Sequence, residues 1–226
     1  MQRLDENLWL LAYPLKMLGV DLRRNCTVIR LGGTGELVIH SMGPFTSADV
    51  AAIRALGRPT WLVEAMMRHD TFSEEGRTAF PEATAFLGVP GFGERVTFPT
   101  QPILPTPAAW GRELEALELA GVPSMRETVF FHRPSRTLIV CDLVFNFGKA
   151  EPLWTQVVLW TAVGAEHHPG MSRPFKLAVK DRAAFRSSLE QMLAWDFDRV
   201  IVGHGEVIET EGKAKVTAML RAAGYV

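Results

Sequence analysis

The residues best suited to chemistry lie far apart in this chain. Val200-Ile201-Val202-Gly203-His204-Gly205 ends an apolar run in a histidine held between two glycines. Glycine on either side lets the backbone turn sharply and leaves the imidazole projecting from a strand end. That placement suits a metal ligand or a general base, and it equally suits a histidine that merely caps a strand. Asp142 sits inside a second apolar run, Leu138 to Phe145. A carboxylate there is costly unless it is paired, hydrogen-bonded or metal-bound, and a salt bridge or a bend is the commoner outcome. His69-Asp70 follows the apolar stretch Trp61 to Ala65, in a polar segment that also holds Glu74, Glu75 and Arg77. Taken alone it reads as a solvated loop, although loops at strand ends are where sites are built. His40 ends another apolar strand and reads as a half-buried ring bonded to a carbonyl. His132 reads as part of a turn sooner than a ligand, His167-His168 as an exposed pair or a mobile rim, and Glu127 as a surface position opening a strand, the lesser reading being that it faces the site.

The elements that must position these residues follow from periodicity. Strands are expected at Leu8 to Tyr13, Cys26 to Leu31 and Glu36 to His40, with Gly32-Gly33-Thr34-Gly35 as a hairpin turn. A helix is expected from Thr46 to Leu56, with Thr46 as cap and Gly57 as stop. Five prolines between Pro90 and Pro107 exclude a helix there and imply a long surface connection. The second half repeats the logic: strands at Leu114 to Leu119, Glu127 to His132 and Thr137 to Phe145, an apolar helix at Leu153 to Val163, a helix from Asp181 to Trp195, a strand at Arg199 to Val202 and a closing helix at Lys213 to Ala223. Two β-rich halves with helices outside predict an α+β protein, a four-layer αββα sandwich forming a single domain over residues 1–226.

Composition removes several function classes. The 226 residues carry 24 Lys and Arg against 25 Asp and Glu, a net charge of −1, and the densest basic pair is Arg23-Arg24. A nucleic-acid partner is therefore not expected. The longest apolar stretch, Leu153 to Gly164, is too short to span a bilayer, so no membrane partner is expected either. Cys26 and Cys141 read as free core thiols, and with no leader peptide evident the expected location is cytoplasmic. No serine-hydrolase elbow, P-loop or dinucleotide fingerprint is present. Trp154 and Trp160 read most simply as core; a substrate rim or a homodimer contact are the other readings.

Taken together, these segments resemble the metallo-β-lactamase superfamily. ELVIHSMG resembles the strand that in the family ends in Asp and leads to Gly, which sets His40 where an orienting Asp stands. WLVEAMMRHD resembles the strand and loop of the H-x-H-x-D-H metal motif, TLIVCDLVF the strand ending in the bridging Asp, and VIVGHG the loop of the last His. NLWLL, FFHRPSRTLIV and FDRVIVGHG are similar to a degenerate, uncharacterised branch known as a domain of unknown function. The departures are specific. Ala65 and Met67 stand at the first two histidines of the motif, the D-H pair is inverted to His69-Asp70, and no histidine occupies Gly121 to Arg126.

The resemblance thus implies that the three-His subsite is lost. What remains is a reduced set of His69, Asp142 and His204 for one divalent metal, Zn²⁺ before Fe or Mn. Two readings follow. One is a mononuclear hydrolase acting on an unknown small-molecule substrate, a metal-bound water being the nucleophile and Asp70 or His40 serving as supporting residue or proton acceptor. The other is a non-catalytic descendant of the fold, with no metal, acting as a binding or interaction module.

Overall fold

The computed structural model describes residues 1–17, 19–148, 153–163 and 169–226, so His167 and His168 lie outside the described residues. The chain runs β1 (Gln2–Asp5), β2 (Leu8–Tyr13), β3 (Lys16–Met17), β4 (Val20–Asp21), β5 (Arg24–Arg30), β6 (Glu36–His40), α1 (Ser47–Arg54), β7 (Arg58–Glu64), α2 (Ser73–Ala79), β8 (Ala85–Gly88) and β9 (Gln101–Pro102). It continues through β10 (Leu114–Glu118), β11 (Thr128–His132), β12 (Thr137–Ile139), α3 (Leu153–Val158), α4 (Arg173–Ala178), α5 (Arg182–Ala194), β13 (Arg199–Ile201) and α6 (Gly212–Ala222).

A seven-stranded sheet has the order β1-β2-β5-β6-β7-β8-β9, and a four-stranded sheet the order β10-β11-β12-β13. Helices α1 and α2 pack on β7 of the first sheet, and α5 and α6 on β10 and β13 of the second. This is the αββα sandwich expected from the order of elements. One contiguous apolar cluster joins both sheets, from Leu8 and Val28 in the first to Phe130, Leu138 and Val200 in the second. The folded chain exposes 10073 Å², close to the roughly 10,000 Å² expected of a compact chain of this size.

Two pairings matter for function. β6 runs parallel to β7, and β12 parallel to β13. The C-terminal ends of parallel strands open toward one edge of a sheet, where the backbone leaves the ladder and side chains can converge. His40 ends β6, the His69 loop follows β7, Asp142 follows β12 and His204 follows β13.

Two expectations are corrected, and one element is new. The strand Thr137 to Phe145 stops at Ile139, for a reason that belongs to the site below. α4 lies in a stretch for which no element is expected; Ser172 caps it by accepting the Phe175 N–H at 3.2 Å. Trp154 and Trp160 face solvent, not the core.

His132 does close a turn: its Nδ1 lies 2.6 Å from Ser135 Oγ, across the hairpin to β12. Burial lowers its pKa to about 4, with Asp5 and Glu113 opposing. An unfolded histidine titrates near 6.5, so the unfolded chain gains this proton first as pH falls, and the fold is disfavoured. Relative to a His132→Gln variant, wild-type stability should fall by about 1.4 kcal/mol per pH unit between about 6.5 and 4 and stay level above 7. Urea midpoints of the two proteins across that range check it.

Candidate metal centre

Asp142 Oδ1 receives two imidazoles: His69 Nε2 lies 3.1 Å away and His204 Nε2 3.3 Å. One ligand atom from each residue falls within 4.8 Å of the others, and no other such group of three occurs among the described residues. The two rings meet edge to face, with centroids 5.3 Å apart. Both histidines are buried and Asp142 is largely so, its side chain 17% exposed.

The His204 loop is fixed from β5. Arg23 adopts φ +58°, and its carbonyl oxygen lies 2.6 Å from His204 Nδ1. A carbonyl only accepts, so Nδ1 carries the proton. In a neutral ring Nε2 then offers a lone pair, and it offers it toward Asp142. A lone pair facing a carboxylate oxygen at 3.3 Å is repulsive unless a cation lies between them or the ring is doubly protonated. Asn25 holds the same loop, its Nδ2 donating to the carbonyls of Val202 (2.8 Å) and Gly205 (3.0 Å). The flanking glycines are obligatory for close approach. A Cβ on Gly203 would lie 2.7 Å from the Cys141 carbonyl oxygen, and one on Gly205, at φ +96°, 2.1 Å from that of Asn146. Phe145 stacks on the His204 ring, with centroids 5.4 Å apart.

The Asp142 turn is held by a residue read as exposed, Glu127. It is fully buried, and its carboxylate accepts the backbone N–H groups of Cys141 (2.8 Å), Asp142 (2.9 Å) and Leu143 (3.0 Å). Those N–H groups are withdrawn from the strand ladder, which is why β12 is short. Burial and the Asp142 charge raise the Glu127 carboxyl to about 8, against the three donors that lower it. A Glu127→Gln variant places an amide NH₂ against those donors. It should bind metal about 10–100-fold more weakly, as loss of a residue supporting a ligand does, and lose about 2–3 kcal/mol of stability. Metal titration of the variant at a temperature where both proteins are folded separates the two effects.

His69 is anchored by the buried pair of Arg24 and Glu64. Arg24 Nη2 contacts both Glu64 oxygens (3.1 and 3.0 Å) and the His69 carbonyl (2.9 Å), and its Nε reaches the Met42 carbonyl (3.1 Å). Glu64 also accepts the Met42 N–H at 2.8 Å. Burial raises the Glu64 carboxyl to about 7, with Arg24 opposing. Burial, then the Arg24 charge, lowers the His69 pKa to about 4, so the ring is neutral near pH 7. Burial also acts to raise Asp142, but the two imidazoles outweigh it and hold the carboxyl well below the usual carboxylate range. His69 Nδ1 is buried without a hydrogen-bond partner among the described residues.

The other two residues singled out in the sequence stand outside the trio. Asp70 turns to Arg95, 2.7 Å from its Nη2, and that ion pair draws its carboxylate away from the trio. His40 lies one layer back. Its Nε2 is 4.0 Å from Cys141 Sγ, its ring packs edge-on to Phe130, and burial lowers its pKa to about 3. A buried neutral ring with those neighbours packs behind the Cys141-Asp142 segment. Both thiols are free and buried, and burial raises Cys141 well above the ordinary thiol range, which disfavours the thiolate.

No family model and no curated protein matches the chain. Among solved structures it is similar to a metallo-β-lactamase from Pontibacter korlensis, at 10% identity and TM-score 0.67, covering 100% of this chain and 98% of that one. It is also similar to the metallo-β-lactamase FIM-1 from Pseudomonas aeruginosa in its mono-zinc form, at 12% identity and TM-score 0.63, covering 100% and 95%. The DIM-1 metallo-β-lactamase matches at 14% identity and TM-score 0.63, over 98% and 96%. At these identities the likeness is one of fold.

Proposed function

We propose that the protein is a metal-dependent hydrolase with a mononuclear centre, in which His69, Asp142 and His204 hold one divalent ion, zinc first. The observation that carries this reading is the His204 ring, whose Nδ1 is committed to the Arg23 carbonyl and whose Nε2 faces Asp142. Two imidazole nitrogens and one carboxylate are a donor set that zinc accepts, with a position left for water or substrate. The mono-zinc form of the similarly folded P. aeruginosa protein supports one ion as enough for this fold.

When bound, a divalent ion supplies Lewis acidity: it brings the pKa of water down to about 7 and polarises a carbonyl or phosphoryl oxygen. The chain does the rest. Asp142 stays ionised and draws both imidazoles to one point, Arg23 fixes the His204 tautomer, and Glu127 and Arg24 keep the ligand loops from relaxing. The resemblance sets Ala65 and Met67, whose side chains carry no nitrogen, at the first two histidines of the motif, so a two-ion clamp is not part of the proposal. The substrate is a small molecule with a hydrolysable acyl or phosphoryl centre.

A panel of activated esters, thioesters, lactams and phosphodiesters tests this, with wild type beside Asp142→Ala and His204→Ala. Turnover that either substitution lowers by a hundredfold or more supports the proposal; such a loss corresponds to about 2.7 kcal/mol of transition-state stabilisation. A protein that binds the ion and turns over nothing in the panel would favour the binding-module reading instead.

A further inference from the structure

The face of α3 opposite the core is apolar and open. Leu153, Val157 and Trp160 recur at helical spacing through α3 and the π-helical turn Leu159–Val163 that continues it, with Trp154 beside them. Leu153 is 78% exposed, Trp154 61% and Trp160 56%. The inward face of the same segment, Val158 and Leu159, packs on Val20, Leu22, Phe145 and Phe147 in a small cluster of its own. The segment is therefore apolar on two sides and has a protein partner on one.

Neighbouring elements extend the open face. The Trp154 indole nitrogen lies beside Gly19 in the β3–β4 turn, which exposes Met17. Arg173 of α4 donates to the Thr161 carbonyl at 3.3 Å, and Leu177, one helical turn further on, is 74% exposed. Six of the eight exposed large hydrophobic residues among those described sit on these elements. Their charges are one-sided. β3, β4, α3 and α4 carry Lys16, Arg173 and Lys176 against one acid, Asp21, whose carboxylate is taken by the Leu15 and Arg23 N–H groups at 2.8 and 2.9 Å.

We propose that this face seats on an anionic membrane surface, with Trp154 and Trp160 at headgroup depth and Lys16, Arg173 and Lys176 against the phosphates. Indole rings combine an apolar body with a polar N–H, which places them at such an interface. Cations beside an exposed apolar strip are what an anionic leaflet attracts. The same charges disfavour a second copy of the chain: a two-fold contact would set this cationic patch against an identical one. The inference departs from the sequence-based expectation of no membrane partner, concerns seating on a surface and not spanning, and stands without the reading of the metal centre.

Vesicles of phosphatidylcholine, with and without phosphatidylserine, supply the test in a sedimentation assay. Wild type should partition onto the phosphatidylserine vesicles, less onto phosphatidylcholine alone and less at high salt. A Trp154→Ser/Trp160→Ser variant should lose at least tenfold in partitioning, and Lys16→Glu and Lys176→Glu about fivefold each. These side chains are exposed, so unchanged melting curves verify that the variants fold. No sedimentation of wild type with phosphatidylserine vesicles would overturn the proposal, as would equal partitioning of the double variant. A dimer in light scattering that the double tryptophan variant dissociates would also overturn it, assigning the face to a second copy.

Discussion

Replacing Arg24 by methionine is expected to lower the melting temperature by roughly 6–20 °C. Arg24 and Glu64 are 2% and 0% exposed and bond to one another, to the Met42 carbonyl and N–H, and to the His69 carbonyl. Removing one partner of such a pair leaves a buried, uncompensated charge and costs about 3–5 kcal/mol. For a chain of this length each kcal/mol moves the melting temperature by about 2–4 °C. The loss should depend on pH with a definite sign. The Glu64 carboxyl is already raised to about 7 by burial against the pull of Arg24. Without Arg24 it rises further, so the folded variant holds a proton that the unfolded chain releases near 4.5. Stability of Arg24→Met is therefore fullest at acid pH and is lost as pH rises, and the gap to wild type should widen from pH 5 to pH 8. Combining it with Glu64→Gln should recover part of the loss. Melting curves of the three variants at both pH values check this. An equal gap at both would mean that the carboxylate is not what the arginine compensates.

Asp142→Asn should have the opposite signature: a large loss of metal affinity with little or no loss of stability. Structural zinc sites bind with roughly 10–16 kcal/mol; one ligand's share of that is ~3–4 kcal/mol, a factor of several hundred in affinity. Without the ion, Asp142 Oδ1 faces a His204 nitrogen whose other ring nitrogen is already bonded to Arg23. Asparagine keeps the shape of the side chain and can turn its NH₂ toward that nitrogen, which replaces the contact the carboxylate gives up. The metal-free variant should accordingly melt close to the wild-type temperature. An aspartate that merely tied two histidines together would give the reverse, a metal-independent drop in melting temperature.

Much of the architecture is legible in the sequence because its signals are local. Glu36 to His40 and Leu8 to Tyr13 alternate with turn residues and form strands with those bounds. The Gly-His-Gly tripeptide carries its own explanation, since both glycines meet a carbonyl too close for a side chain. What escapes is long-range. Arg24 reads as half of a basic pair, because nothing local points to Glu64, 40 residues away. Asn25 fits a glycosylation sequon, yet its amide straps a loop 177 residues further on. Glu127 reads as a strand's polar first residue until its three N–H donors come from another strand's end. The expected strand through Phe145 fails for the same reason: the apolar run is there, but Glu127 takes the backbone groups that would extend it. His69 and Asp70 are adjacent, and spacing cannot decide between them. The carbonyl of His69 on Arg24 and the carboxylate of Asp70 on Arg95 turn the two side chains apart.

Equilibrium titration of zinc into chelator-treated protein tests the central claim most directly. The account predicts one ion per chain, bound with a dissociation constant below about 1 μM, or more than ~8 kcal/mol, and lost in both Asp142→Ala and His204→Ala. Two ions per chain, or binding that survives both substitutions, would contradict it, as would a wild-type protein that takes up no zinc at all.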